Sequence, residues 1–252
     1  MKLITYNLFQ GAEKSYSDLV DFMLAQKPDI VCLQEVNGWQ DNDFARCKDF
    51  AQKTGLAYFI FGDSNTRHKL ATFARFPIES SQVYTQNFWH CAIKTSFSNN
   101  NQSFTIFNLH LCPQNEDTRL NELKQILAAM DATTPTLLAG DLNSLSRHDN
   151  YPSTLRADLQ HNGITKFGTD RLEYRVTDAL AKTGIIDVCA EQKKMSPTVP
   201  TPFNSDTMHR VPVRLDYVFA TRPFPVRAVQ VLKSPATKRI SDHYPLKVEF
   251  EF

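Results

Sequence analysis

The chain has 252 residues, 42% hydrophobic and 22% charged, an ordinary globular usage that excludes disordered, collagen-like and coiled-coil architectures. Lys and Arg total 28 against 27 Asp and Glu, so the net charge of +1 implies no global pull toward nucleic acid or membrane. No apolar run approaches the roughly 18 residues of a membrane span, and five cysteines without a Cys-x-x-Cys pair support neither a disulfide framework nor a zinc site.

The N-terminal Met1-Lys2-Leu3-Ile4-Thr5-Tyr6-Asn7 has neither the apolar region nor the cleavage site of an export signal, so a cytoplasmic protein is expected. Residues 3–6 form a β-prone run followed by a polar turn. Across Tyr16–Gln26, Leu19, Val20, Met23 and Leu24 recur at helical spacing, and Lys27-Pro28-Asp29 stops that helix. Ile30–Gln34 then reads as a buried strand containing a buried thiol, Cys32. Residues 44–53 read as a helix ended by Gly55, and residues 56–61 as a strand. Strands are expected over 70–75, 81–88, 90–97 and 102–109, the last two joined by the turn Ser98-Asn99-Asn100-Asn101.

Residues 115–130 form a helix with Leu120, Leu123, Ile126, Leu127 and Met130 on one face, and residues 136–139 a strand ending at Gly140. Residues 144–212 read mostly as loop, with helical pieces near 153–160 and 177–182. Strands resume over 213–219, 226–232 and Leu246–Phe250. No linker, low-complexity segment or repeat divides the chain, so residues 1–252 are expected to be a single domain. Two blocks of helix and strand permit an α/β sandwich with two sheets face to face and helices outside.

Charge is unevenly spread. Lys193 to Arg239 carries a net +7 and residues 1–63 a net −3. A basic C-terminal stretch suits a phosphate-bearing ligand, and it equally suits a solvated face balanced by acids nearby in space.

Five apolar runs each end in a carboxylate, amide or imidazole. They are Leu3-Ile4-Thr5-Tyr6-Asn7, Ile30-Val31-Cys32-Leu33-Gln34-Glu35, Phe107-Asn108-Leu109-His110, Leu137-Leu138-Ala139-Gly140-Asp141-Leu142-Asn143 and Arg214-Leu215-Asp216-Tyr217. A sixth cluster, Ser241-Asp242-His243, precedes the last strand. If these ends share one edge of a sandwich, their oxygens suit a hard divalent cation such as Mg²⁺, which needs one or two carboxylates beside substrate phosphate. The same set contains a base for water, donors for phosphoryl oxygens and a proton source. It contains no activated Ser or Cys nucleophile and no Gly-rich phosphate loop. Taken singly, Glu35 could pair with a lysine, Asp141 could form an Asx turn with Asn143, and His110 could be a core histidine. Asp216 inside a strand needs a partner.

These residues, in this order, resemble the endonuclease/exonuclease/phosphatase superfamily, which includes DNase I-like nucleases, apurinic endonucleases, sphingomyelinases, inositol polyphosphate phosphatases and a tyrosyl-DNA phosphodiesterase. Ala71-Thr72-Phe73-Ala74-Arg75-Phe76-Pro77-Ile78 also looks like a strand of that family, with Ala74 where Ser is usual. The match runs from Asn7 to His243. The resemblance implies a four-layered α/β sandwich with two face-to-face mixed sheets flanked by helices, and hydrolysis of a phosphoester with Mg²⁺, or Mn²⁺ as substitute. It implies Glu35, Asn7 and Asp242 at the metal, Asp141 orienting or deprotonating water, and Asn143 positioning water or phosphate. His243, held in its tautomer by Asp216, would contact the scissile phosphate, and His110 would protonate the leaving oxygen.

Two departures stand out: Phe9 lies where the apurinic enzymes carry an acid, and Thr66-Arg67-His68-Lys69 offers no carboxylate partner for His110. Asn65, Arg67, Trp89 and the basic residues between 193 and 239 are candidate substrate contacts. The expected activity is a phosphodiesterase or nuclease, with nucleic acid among the candidate substrates. A phosphomonoesterase on a phosphorylated lipid or small metabolite is the alternative, and an inactive binding module the alternative of another class. A glycosidase would need no metal, and a sequence-reading DNA binder would need a helix rich in Arg and Asn, which is absent. A monomer without an obligate protein partner is expected.

Overall fold

The computed structural model describes residues 1–99, 102–203, 209–221 and 224–251, so Asn100, Asn101, Asp206 and Arg222 lie outside the described residues. The first part of the chain forms β1 (Lys2–Asn7), α1 (Tyr16–Gln26), β2 (Ile30–Gln34), α2 (Asp41–Thr54), β3 (Tyr58–Gly62) and β4 (Leu70–Ala74). The middle forms β5 (Ser80–Tyr84), β6 (Ala92–Asn99), β7 (Gln102–His110), α3 (Glu116–Ala129) and β8 (Thr136–Asp141). There follow α4 (Leu155–His161), α5 (Arg175–Lys182), β9 (Ile186–Asp187), α6 (Val188–Glu191), β10 (Asp216–Ala220), β11 (Val226–Val231), α7 (Thr237–Ile240) and β12 (Leu246–Phe250).

The strands make two six-stranded mixed sheets of order β11-β12-β1-β2-β4-β3 and β5-β6-β7-β8-β10-β9. With helices outside, this is the four-layered sandwich. Each sheet is built around one parallel pair closed by a crossover helix, β1-α1-β2 in the first and β7-α3-β8 in the second. Side-chain alternation then sorts the residues. Leu3, Ile30, Cys32, Ile106, Leu137, Ala139 and Val218 meet between the sheets. Ile4, Tyr6, Val31 and Leu33 face outward against Leu19, Phe22 and Met23 of α1 and Phe50 of α2. On the other sheet Phe107, Leu109, Leu138 and Tyr217 pack on Leu123 and Ile126 of α3 and Leu180 of α5.

The helix α1 stops where expected because Lys27 takes a left-handed C-cap conformation before Pro28. Asn115 caps α3, its side chain accepting the Thr118 N–H at 2.9 Å. Three pieces of secondary structure carry no advance signal in the sequence: β9 has two residues, and α6 and α7 have four each. The strand β10 begins at Asp216 rather than 213, because the Thr198 hydroxyl, not a neighbouring strand, accepts the Leu215 and Asp216 N–H groups. All five cysteines are buried free thiols. Among the described residues no helix is long and apolar enough to cross a membrane.

The topology brings the polar strand ends to one edge. Parallel strands arrive there by their C-termini, placing Asn7 beside Gln34 and His110 beside Asp141 in register. Antiparallel strands arrive by their N-termini, so Asp216 pairs with Asp141, and Asp242-His243 immediately precede β12 beside the end of β1. One layer beneath, Gln34 donates to Asn108 Oδ1 at 2.8 Å and Asn108 donates to Ala71 O at 2.9 Å, latching the two sheets together.

Candidate active site

Strict alternation would turn Glu35 away from the inner edge. Its left-handed backbone (φ 59°) breaks the alternation and brings the carboxylate over the strand end. There Asn7 Nδ2 donates to Glu35 Oε1 at 3.3 Å and to Asp141 Oδ2 at 3.1 Å, bridging the two sheets. Asn7 Oδ1 accepts the Phe9 N–H, and the Gln10 N–H donates to Glu35 Oε2 at 3.2 Å. Glycine is required at Gly140 (φ 147°), because a Cβ there would run into the Leu109 carbonyl oxygen of β7. Asp141 and Asn143 do form the Asx turn: Asn143 N–H donates to Asp141 Oδ1 at 2.8 Å, with Asn143 itself left-handed at φ 50°.

The Ser241 hydroxyl donates to Asn7 O at 2.7 Å and lies 3.2 Å from Asp242 Oδ1, fixing Asp242 beside Asn7. His243 Nδ1 is 2.7 Å from Asp216 Oδ2, and its Nε2 lies 3.8 Å from Asp141 Oδ2. His110 Nε2 is 3.6 Å from the same oxygen. His243 Nε2 and His110 Nδ1 are buried without a hydrogen-bond partner among the described residues. The structure therefore joins all eight residues singled out by sequence, Asn7, Glu35, His110, Asp141, Asn143, Asp216, Asp242 and His243, into one contiguous cluster.

Burial opposes charge throughout this cluster, and the neighbours decide each outcome. Glu35 is desolvated, yet the His68 hydrogen bond and the His110 and His68 imidazoles hold its carboxyl well below the usual range. For Asp141, burial is overcome by His243, His110 and Lys166, and the carboxyl is lowered. Asp242 is raised by burial and by the like charges of Glu35 and Asp141, against the pull of His243. His243 is pushed up to about 10, its burial outweighed by Asp216 together with Asp242 and Asp141, so it is an imidazolium at neutral pH. Burial lowers His110 against the pull of Asp141 and Glu35, leaving a neutral imidazole.

Glu35, His110, Asp141, Asn143 and Asp242 of this cluster line a cavity of about 580 Å³, with Asn7, Asp216 and His243 packed behind them and Arg67, Trp89, Lys166 and His209 in its walls. Four wall residues escape the sequence argument. His68 Nδ1 approaches Glu35 Oε2 at 3.0 Å. His90 stacks on His110 at 4.2 Å between ring centroids. Lys166 Nζ donates to Asn143 Oδ1 at 2.9 Å, and His209 Nδ1 lies 3.1 Å from Asp242 Oδ2. Of the expected contacts, Arg67 and Trp89 line the cavity, whereas Asn65 is structural, donating to Thr85 O and Phe88 O. Among the described residues, the basic stretch 193–239 supplies no Lys or Arg to the lining: Arg214, its most buried cation, is paired with Asp187 at 2.6 Å and Asp149 at 2.8 Å.

The donor set fits a hard divalent cation. Glu35 and Asp242 are carboxylates whose mutual repulsion a cation between them would relieve. Two groups, His209-Asp242-His243 and Asp141-Asp216-His243, each place their ligand atoms within 4.8 Å of one another.

The sequence profile of the Endonuclease/Exonuclease/phosphatase family matches residues 4–243. No curated protein matches the sequence. Among solved structures, an AP endonuclease from Archaeoglobus fulgidus superposes with a TM-score of 0.74 at 15% identity, with 100% of each chain covered. An endonuclease/exonuclease/phosphatase family protein from Leptotrichia buccalis gives a TM-score of 0.72 at 17% identity, also covering 100% of both chains. The human Nocturnin catalytic domain with bound sulfate gives 0.68 at 18% identity, covering 100% of this chain and 94% of that one.

Proposed function

The chain belongs to the endonuclease/exonuclease/phosphatase family, and on that premise we propose that it is a metal-dependent phosphodiesterase that attacks its substrate directly with water. The observation that carries this reading is the site itself: four carboxylates converge beside an imidazolium whose Nε2 has no hydrogen-bond partner among the described residues. Buried acids of like charge are costly unless something offsets them, and a cation with an anionic substrate does so.

Glu35 and Asp242, with Asn7 beside them, would hold Mg²⁺ or Mn²⁺, which when bound neutralises charge on phosphoryl oxygens. Asp141, anionic and fixed through Oδ1 by the Asn143 N–H, orients the attacking water and takes its proton. His243 donates from Nε2 to a phosphoryl oxygen. Asp216 fixes which nitrogen faces the substrate and keeps the ring charged. His110, neutral at rest, faces Asp141 at 3.6 Å; it takes up the proton that Asp141 draws from water and passes it to the leaving oxygen. Among the described residues no Ser or Cys lines the cavity, and attack by water without a covalent intermediate predicts inversion at phosphorus.

The test is a panel of activated and natural phosphodiesters and phosphomonoesters assayed with Mg²⁺ and Mn²⁺, with Glu35→Gln as control. Diester turnover that collapses in EDTA, and falls by orders of magnitude in a folded Glu35→Gln variant, is the expected result. Full turnover in excess EDTA overturns the metal assignment, and turnover of monoesters alone overturns the diester reading.

A further inference from the structure

A lysine lines the cavity beside Asn143 and His209. Lys166 is 4% exposed, although it lies in the loop between Gly163 and Gly168, and Ile164 and Phe167 on either side of it are buried in a small apolar cluster with Leu155 and Leu159 of α4. Its backbone is pinned as well. The buried Arg119 guanidinium donates to Lys166 O and to Cys112 O, and pairs with Glu116 at 3.0 Å. Glu116 in turn accepts from Ser144 and from the Val176 N–H. A long side chain anchored at its root by two layers of buried polar contacts has little freedom to swing away.

The contacts of the ammonium fix its direction. Lysine only donates, so the 3.2 Å contact with His209 Nε2 makes that nitrogen an acceptor and puts the His209 proton on Nδ1, toward Asp242. Lys166 Nζ also donates to Asn143 Oδ1 at 2.9 Å, and the Asn143 amide nitrogen donates to Leu111 O. Lys166 is thus a cation set between Asn143 and His209, and its charge lowers Asp141. The two oxygens of Asp141 face different neighbours: Asn7, His110 and His243 lie at Oδ2, whereas Asn143 holds Oδ1.

We propose that Lys166 is a further substrate-contacting residue of this site, its ammonium binding a non-bridging oxygen of the scissile phosphoryl group on the Asn143 side. His243 serves the opposite side. The proposal rests on the phosphoesterase reading and adds to it a second fixed positive charge. No proton or bond passes through Lys166. Its ammonium stabilises charge that grows on the phosphoryl oxygens as water attacks, so its effect belongs mainly to the transition state. His209 is a positioning residue: by accepting from Lys166 and donating to Asp242 it ties the lysine to the proposed metal-binding side.

The experiment compares Lys166→Met and Lys166→Arg with the parent protein. Lys166→Met should lower kcat about 10²-fold with KM changed only severalfold, and weaken inhibition by inorganic phosphate about tenfold. Lys166→Arg should recover part of both. A folded Lys166→Met with kcat within threefold of the parent overturns the proposal. A structure of the unaltered protein soaked with inorganic phosphate and Mg²⁺ tests it without substitution: Lys166 Nζ should lie at hydrogen-bond distance from a phosphate oxygen. Bound phosphate that touches His243 but not Lys166 overturns the inference. A parent protein inactive across the whole panel would instead defeat the hydrolase reading, and the phosphate structure would still decide the lysine.

Discussion

Asp141 and Trp89 border the same cavity, yet Asp141 is 1% exposed and Trp89 43%. Asp141 belongs to the floor, where ladders set each position: β7 puts His110 beside it and β10 puts Asp216 beside it. Trp89 belongs to the wall, in the loop between β5 and β6, which a few side chains hold in place. Asn65 bonds Thr85 O and Phe88 O at 2.6 and 2.7 Å, and Glu122 accepts the Trp89 N–H at 2.6 Å. Moving a floor residue means shifting strand register across a packed core, whereas moving a wall residue means changing one loop. The floor is therefore the rigid part of the cavity, and the wall the part that one loop can reshape.

Substitutions sharpen that division. Asp141→Asn keeps the shape of the floor and removes the proposed base, so kcat should fall roughly 10²-fold or more with the fold intact. Near-normal turnover would place the base elsewhere. His110→Ala comes next. As a proton donor to the leaving oxygen, His110 should matter more on an alkyl or ribose ester than on a nitrophenyl diester, whose leaving group needs no proton. Equal losses on both esters would reduce it to a positioning residue, which its low basicity and its stacking on His90 would then explain.

The same division governs how far the molecule can be read without coordinates. Strand ends are legible because an apolar run that stops at a polar residue signals both a strand and an edge, and Asn7, Glu35, Asp141 and Asp216 all carry that mark. Helices α1 and α3 are legible from period and capping. Lys166, His209, His68 and His90 sit in loops without period, and their neighbours in space are distant in sequence. Only Lys166 leaves a trace, a lysine between the apolar Ile164 and Phe167 with Gly163 and Gly168 around them. The excess of base over 193–239 does not locate the cavity, because charge counts cannot show that Arg214 is spent on Asp187 and Asp149.

A smaller effect is expected at the wall. Trp89→Ala removes an exposed aromatic face beside the cavity, and loss of one stacked planar group is worth about 1 kcal/mol or more, roughly fivefold in KM. The kcat should change little. A fall in kcat comparable to that of Asp141→Asn would show that the wall takes part in the chemistry and would erase the division.

The mildest test concerns what holds the wall. Glu122 of α3 accepts the Trp89 N–H through one oxygen and the Cys112 N–H through the other, at 2.6 and 2.8 Å, joining both loops to the helix. Burial pushes its carboxyl up to about 7, although those two N–H groups and Arg119 favour the charged form. The folded protein therefore holds the Glu122 proton up to about pH 7, whereas the unfolded chain releases it near 4.5. Between those values the native state binds more protons. This group then makes stability fall as pH rises through the window, by an order of 3 kcal/mol at most, and adds no further slope above pH 7. Glu122→Gln cannot titrate, and its amide NH₂ would oppose one of the two backbone donors. The variant should be less stable than the parent at pH 5, and the gap should narrow toward pH 8, with KM raised slightly as the Trp89 loop loosens. Urea midpoints measured from pH 5 to 8 on both proteins check this, and parallel curves across the window would remove Glu122 as the titrating anchor of the wall.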